Sequence, residues 1–202
     1  MTHKKRIWYP GAKYHIICRG NKKRDIFLDK LDFRVFIAIL KEVKNNYSYS
    51  LISYCLMPNH FHFLIRANSH SIEYVKESHR PNTQELAKNL GNLLSCYTQF
   101  FNRRNDAKGP LWLYHTNAKM LNGHSDNYPL ICFQYIHQNP LRAGLVPKIE
   151  DWKFSSFNEF VGTRDSDLIN KHLAFDVIGI REETFLLECR KHLDEDRMKQ
   201  IW

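Results

Sequence analysis

Apolar positions along the chain recur with two periods, and the alternation between them predicts its elements. Lys13 to Arg19 (KYHIICR) is short, β-branched and aromatic and runs into Gly20-Asn21, so it is expected to be a strand ending in a turn. From Asp29, a good N-cap, Phe33, Phe36, Ile37, Leu40 and Val43 fall on one helical face before Asn45-Asn46. Tyr49 to Met57 and His60 to Arg66 are strand-like runs separated by Pro58-Asn59, a turn of hairpin length, and should pair antiparallel. After the polar stretch Asn68 to Pro81, Leu86, Leu90, Leu93, Leu94, Tyr97 and Phe101 mark a second amphipathic helix that ends in Arg103-Arg104. Leu111 to Leu121 supplies a fourth strand, weakened by Asn117 and by the Asn122-Gly123 that follows.

That order is the split β-α-β-β-α-β of an α+β, ferredoxin-like fold with an antiparallel sheet. A third helix should run from about Asp126 to Gln138, because Pro140 disfavours helical geometry in the residue before it. Beyond Gly162 the composition turns to mixed charge with helical periodicity, over Leu168 to Ile178 and then Glu182 to Trp202. The expected organisation is therefore a main domain over residues 1–162, with the third helix carrying the chemistry, and a helical C-terminal appendage over 163–202.

Charge adds a partner class. The chain has 202 residues with 30 Lys and Arg against 21 Asp and Glu, a formal charge of +9, so its surface should attract a polyanion, of which nucleic acid is the usual one. Cys18, Cys55, Cys96, Cys132 and Cys189 are far apart and form no Cys-x-x-Cys pair, the pattern of reduced thiols in a cytoplasmic protein. No run approaches the roughly 18 apolar residues of a membrane span, and the basic start from Met1 to Arg6 has no apolar signal core behind it.

Two spacings carry candidate chemistry. In His60-Phe61-His62 the imidazoles project from one face of a strand while Phe61 and Phe63 point to the other, so two nitrogens can bind one ion. A strand histidine pair is also commonly satisfied by hydrogen bonds alone. A hydrolytic zinc site would want an acidic residue shortly after, where this chain has Phe63 and Leu64; two histidines completed by an oxygen ligand suit Mg²⁺ or Mn²⁺. In the third helix Tyr135 and Asn139 stack on one face four positions apart, bringing a phenol beside an amide oxygen. The alternative for Tyr135 is an aromatic packed between helix and sheet.

The segments YHIICRGNKKRDIF (Tyr14 to Phe27), MPNHFHFLI (Met57 to Ile65), YTQFFNRR (Tyr97 to Arg104), QYIHQNPLRAGLV (Gln134 to Val146) and DWKFSSF (Asp151 to Phe157) together resemble the HUH single-tyrosine transposases. Within the IS200-like superfamily they are most similar to the REP-associated tyrosine transposases, over roughly residues 8 to 162. The resemblance implies that His60 and His62 hold a divalent metal, Mg²⁺ or Mn²⁺, with Asn139, and that Tyr135 is the catalytic nucleophile. It implies an endonuclease and strand transferase that cleaves and rejoins single-stranded DNA at hairpin or repeat sequences through a 5′-phosphotyrosine intermediate, as a homodimer. Candidate DNA-backbone contacts are Lys22, Lys23, Arg24, Arg103, Arg104, Lys119 and Arg142. The chain departs from the family after Gly109-Pro110-Leu111, where WLYHTNAK keeps Lys119 but lacks the usual Gln and Arg. Two rival readings stand: a catalytically inactive nucleic-acid-binding descendant of the fold, and a metal-dependent phosphoesterase whose nucleophile is water.

Overall fold

The structure, a computed structural model, describes residues 6–44, 48–76, 82–113, 116–121, 127–194 and 196. Asn45-Asn46, Asp126 and the chain from Arg197 to Trp202, all used above, lie outside the described residues.

Strands β1 (Lys13–Arg19), β2 (Tyr49–Met57), β3 (His60–Ala67) and β4 (Asn117–Met120) form one antiparallel sheet in the order β2-β3-β1-β4. With α1 (Lys30–Lys44) joining β1 to β2 and α2 (Glu85–Arg104) joining β3 to β4, this is the split β-α-β-β-α-β arrangement. One face of the sheet presents Phe61 and Phe63, which meet Phe36 of α1 at ring separations of 5.2 and 6.4 Å, while Tyr97 of α2 closes on Phe36 at 5.1 Å. These rings are among the largest fully buried side chains and anchor the main core.

Local chemistry sets the helix starts and stops. Asp29 caps α1 as expected: its Oδ1 accepts from the N–H groups of Leu31 at 2.9 Å and Asp32 at 3.2 Å. The Asp29 and Asp32 carboxylates in turn hold the Arg104 guanidinium, which ties the end of α2 to the start of α1. This pairing lowers the Asp29 carboxyl to about 2. A carboxylate whose folded pKa is depressed stabilises above its unfolded value near ~3.9 and loses that contribution as pH falls toward the folded value. Arg104→Ala should therefore lower the urea midpoint at pH 7, and its deficit against the native chain should shrink as pH is taken from about 4 to about 2; parallel urea titrations at the two ends of that window check this.

The sheet edge at β2 is covered rather than exposed. Leu56 N–H donates to Phe154 O and Ser156 N–H to Tyr54 O, both at 2.9 Å, so residues 154–156 run alongside β2. Trp152 Nε1–H adds a bond to Leu56 O at 2.9 Å.

Three expectations change. The fourth strand is Asn117–Met120, paired with Tyr14 to Ile17; upstream, the described residues meet β1's end through a bridge from Trp112 to Gly20 and bonds from Leu113 N–H to Arg19 O and from Asn21 N–H to Leu111 O. The third helix, α3 (Tyr128–Arg142), does not stop at Gln138 but runs through Pro140. Its end comes at Gly144, in the left-handed region at φ 68, with Leu145 N–H donating to Pro140 O. In the tail, α5 (Lys171–Ile178) is capped by the Asn170 side chain and stopped by Gly179 at φ 71, but the second expected helix is interrupted after α6 (Phe185–Arg190), where Lys191 is extended. The short α4 (Phe157–Phe160) precedes them in the chain.

Candidate active site

Helix α3 lies over the sheet face opposite α1 and α2, and its sequence splits into stripes four residues apart that each meet a different neighbour. Phe133 and His137 enter an aromatic cluster with Phe157 and Phe160 of α4 and Phe185 of α6. Gln134 and Gln138 face α6: Gln134 Nε2 donates to Glu188 O, and Gln138 Nε2 to both Cys189 O and Lys191 O, all at 2.8 Å. Tyr135 and Asn139, a third stripe, face β1 and β3. A second tie fixes the helix against β2, since His137 Nε2 lies 2.8 Å from Ser156 Oγ, which itself accepts from Tyr54 N–H.

The β3 register sets the other half of the site. His62 stands opposite Ile17 of β1 and His60 opposite Arg19, so His15, Ile17 and Arg19 share the face that carries both β3 histidines. His62 is fully buried and His60 half-buried. Their rings meet at 4.8 Å. The Tyr135 ring lies 5.4 Å from His62 and 6.2 Å from His15, edge-on to both. Asn139 Nδ2 lies 3.3 Å from His62 Nε2 and donates to it, while its side chain also hydrogen-bonds the Tyr135 hydroxyl. The structure thus brings Tyr135, Asn139, His60 and His62 together.

The protonation states follow from burial. Burial, helped by the Arg19 charge, pushes His60 down to about 4, and burial pushes His62 well below its ordinary value, so both imidazoles are neutral at neutral pH and need shed no proton to serve as ligands. Asn59 Oδ1 accepts from His60 Nδ1 at 2.6 Å, which leaves Nε2 with its lone pair. Two imidazole nitrogens and an amide that can turn its oxygen toward them suit a divalent cation that accepts mixed nitrogen and oxygen donors. Burial raises the Tyr135 hydroxyl above its ordinary range, partly offset by the Asn139 hydrogen bond and by the Arg19 and Arg142 charges. It is therefore protonated in the resting protein.

The candidate backbone contacts separate. Arg142, in the last turn of α3, and Lys119, across from His15 on β4 with its ammonium 5.7 Å from the Tyr128 ring, lie on the α3 side of the sheet. Lys22 and Lys23 are exposed in the turn after β1, at the sheet end where Arg19 meets His60. Arg24 instead bonds Pro110 O at 2.8 Å and lies over the Phe101 ring. Arg103 and Arg104 sit at the end of α2 in the opposite layer, with Arg104 bound to Asp29 and Asp32, so they are not brought to the site. Sequence reasoning missed His15 and Arg19. The alternation within KYHIICR places them on one face, but only the strand register shows that this face is the one bearing His60 and His62.

Residues 9–106 match the family described as "Transposase IS200 like", a span that holds both β3 histidines and ends before α3. A curated Haemophilus influenzae protein assigned as a REP-associated tyrosine transposase is 24% identical over 134 residues, covering 62% of this chain and 69% of that protein. The solved structure of a REP-associated tyrosine transposase bound to a REP hairpin matches with a TM-score of 0.60 at 15% identity, over 84% of this chain and 94% of that one. At that identity the likeness is one of fold.

Proposed function

We propose, for a chain whose residues 9–106 match the IS200-like transposase family, a strand-transfer reaction on single-stranded DNA at hairpin or repeat sequences, with Tyr135 as nucleophile and His60, His62 and Asn139 as ligands of one divalent ion, Mg²⁺ or Mn²⁺. The observation that carries this reading is the meeting of Tyr135 and Asn139 with His62, at 5.4 Å between rings and 3.3 Å between nitrogens. The match to the transposase family supports a DNA-cleaving and strand-joining enzyme; the tyrosine route, the single-stranded substrate and the ion are the finer part of the proposal.

The bound ion would position the scissile phosphate and stabilise the charge that builds on it. The chain's own groups do the rest. Tyr135 Oη attacks phosphorus in line; the Oη–P bond forms as the P–O3′ bond breaks, the phenol proton is released, and the strand leaves as a 3′-hydroxyl. Because burial keeps the phenol protonated, that proton must go during attack, and the Asn139 hydrogen bond with the Arg19 and Arg142 charges favours the developing phenolate. The 5′-phosphotyrosine retains a phosphodiester bond, so a second 3′-hydroxyl can reverse the step on a new strand without ATP.

Incubated with Mn²⁺ or Mg²⁺ and a single-stranded hairpin oligonucleotide, the protein should form an adduct that survives denaturing electrophoresis, and a chelator should abolish it. Cleavage without any adduct would favour the water-using phosphoesterase. Hairpin binding with neither cleavage nor adduct would favour an inactive binding descendant.

A further inference from the structure

The buried contact between His15 and His62 is used by none of the steps above. His15, only 1% exposed, lies edge to edge with His62, 5.2 Å between ring centroids and 19° between planes, and its Nε2 lies 3.0 Å from His62 Nδ1. Two imidazole nitrogens at that distance share one proton, so one donates and the other accepts. The far side of His62 decides which. An amide nitrogen is always a donor, and Asn139 Nδ2 points at His62 Nε2, which must therefore carry the lone pair. The proton of His62 is then on Nδ1, donated to His15 Nε2. His60 is arranged alike, with Nδ1 turned to Asn59 Oδ1. Each β3 histidine thus has a partner on Nδ1, and His62 presents Nε2 to Asn139 of α3.

From this arrangement we infer that His15 is a positioning residue: by accepting from His62 Nδ1 in the plane of its ring, it holds His62 in the one tautomer and orientation in which Nε2 can ligate a metal ion. The inference rests on the metal reading proposed above, but its first consequence does not need the metal. An acceptor behind a ligating imidazole fixes its tautomer and raises its basicity, and removing such a partner typically weakens metal affinity about 10- to 100-fold.

Nitrogen-15 NMR of the metal-free native chain should report His62 protonated at Nδ1. A His62 protonated at Nε2 would overturn the inference without any variant. His15→Phe keeps an aromatic ring in the same space but removes the acceptor; it should let the Nε2-protonated form of His62 appear and weaken Mn²⁺ binding, read by calorimetry or by electron paramagnetic resonance of free Mn²⁺, about 10- to 100-fold. His15→Gln restores an acceptor and should bind Mn²⁺ more tightly than His15→Phe. Native-like Mn²⁺ affinity in His15→Phe, or equal losses in both variants, would also overturn it. If the tautomer and Mn²⁺ affinity respond as stated while the native chain forms no DNA adduct, the positioning role of His15 stands and the strand-transfer reading fails.

Discussion

Tyr135→Phe should eliminate the covalent protein–DNA adduct while leaving the fold and Mn²⁺ binding in place. The phenylalanine keeps the ring that packs edge-on against His62 and His15, so the stability cost is confined to one hydroxyl and its bond to Asn139, about 1 kcal/mol. The activity cost is of another size, because removing the nucleophile of a covalent mechanism typically lowers the rate by about 10³-fold or more. Adduct yield on a hairpin oligonucleotide and thermal melting of the same samples separate the two effects. An adduct that survives, or one that maps to Tyr128 at the start of α3, would remove Tyr135 from the mechanism.

Phe185→Ala is expected to have the largest effect on stability among residues beyond Gly162. Phe185 is 3% exposed and its ring contacts Phe157 at 5.4 Å, Phe160 at 5.2 Å, Phe133 at 6.0 Å and Phe175 at 6.1 Å, so one side chain joins α6 to α3, α4 and α5. Truncating a buried phenylalanine costs about 3–5 kcal/mol, whereas a substitution on a loosely attached segment stays within roughly 0.5 kcal/mol. Urea denaturation should place the loss in the upper range. Because the same cluster holds Phe133 and His137 on the back of α3, adduct formation should fall with it. A stability change near zero would show that α6 adds little to holding the helix that bears Tyr135 and Asn139.

The elements that were legible from the chain are those whose causes are local. Asp29 caps α1 through hydrogen bonds to residues two and three positions on, the Pro58-Asn59 turn closes a hairpin between adjacent strands, and the apolar stripe from Leu86 to Phe101 lies inside one helix. The elements that came out differently are governed by distant partners. Pro140 biases Asn139 away from helical geometry, but Gln138 and Asn139 are anchored to α6 and His62, and the helix continues until Gly144 turns it. Likewise the tail's periodicity predicts a helix continuing beyond Arg190. Gln138 instead bonds the carbonyls of Cys189 and Lys191, and Lys191 is extended at ψ 135.

The same division holds for the site. The sequence alone determined that His60 and His62 share a strand face and that Tyr135 and Asn139 share a helix face, because the two-residue pleat and the 3.6-residue turn are properties of the backbone itself. Only the tertiary structure decided that these faces meet, that His15 and Arg19 come to the same face through the pairing of β1 with β3, and that Arg104 serves the join between two helices. Those are contacts between residues far apart in the chain, set by strand register and by the packing of α3 between the sheet and the residues beyond Gly162, and no local spacing encodes them.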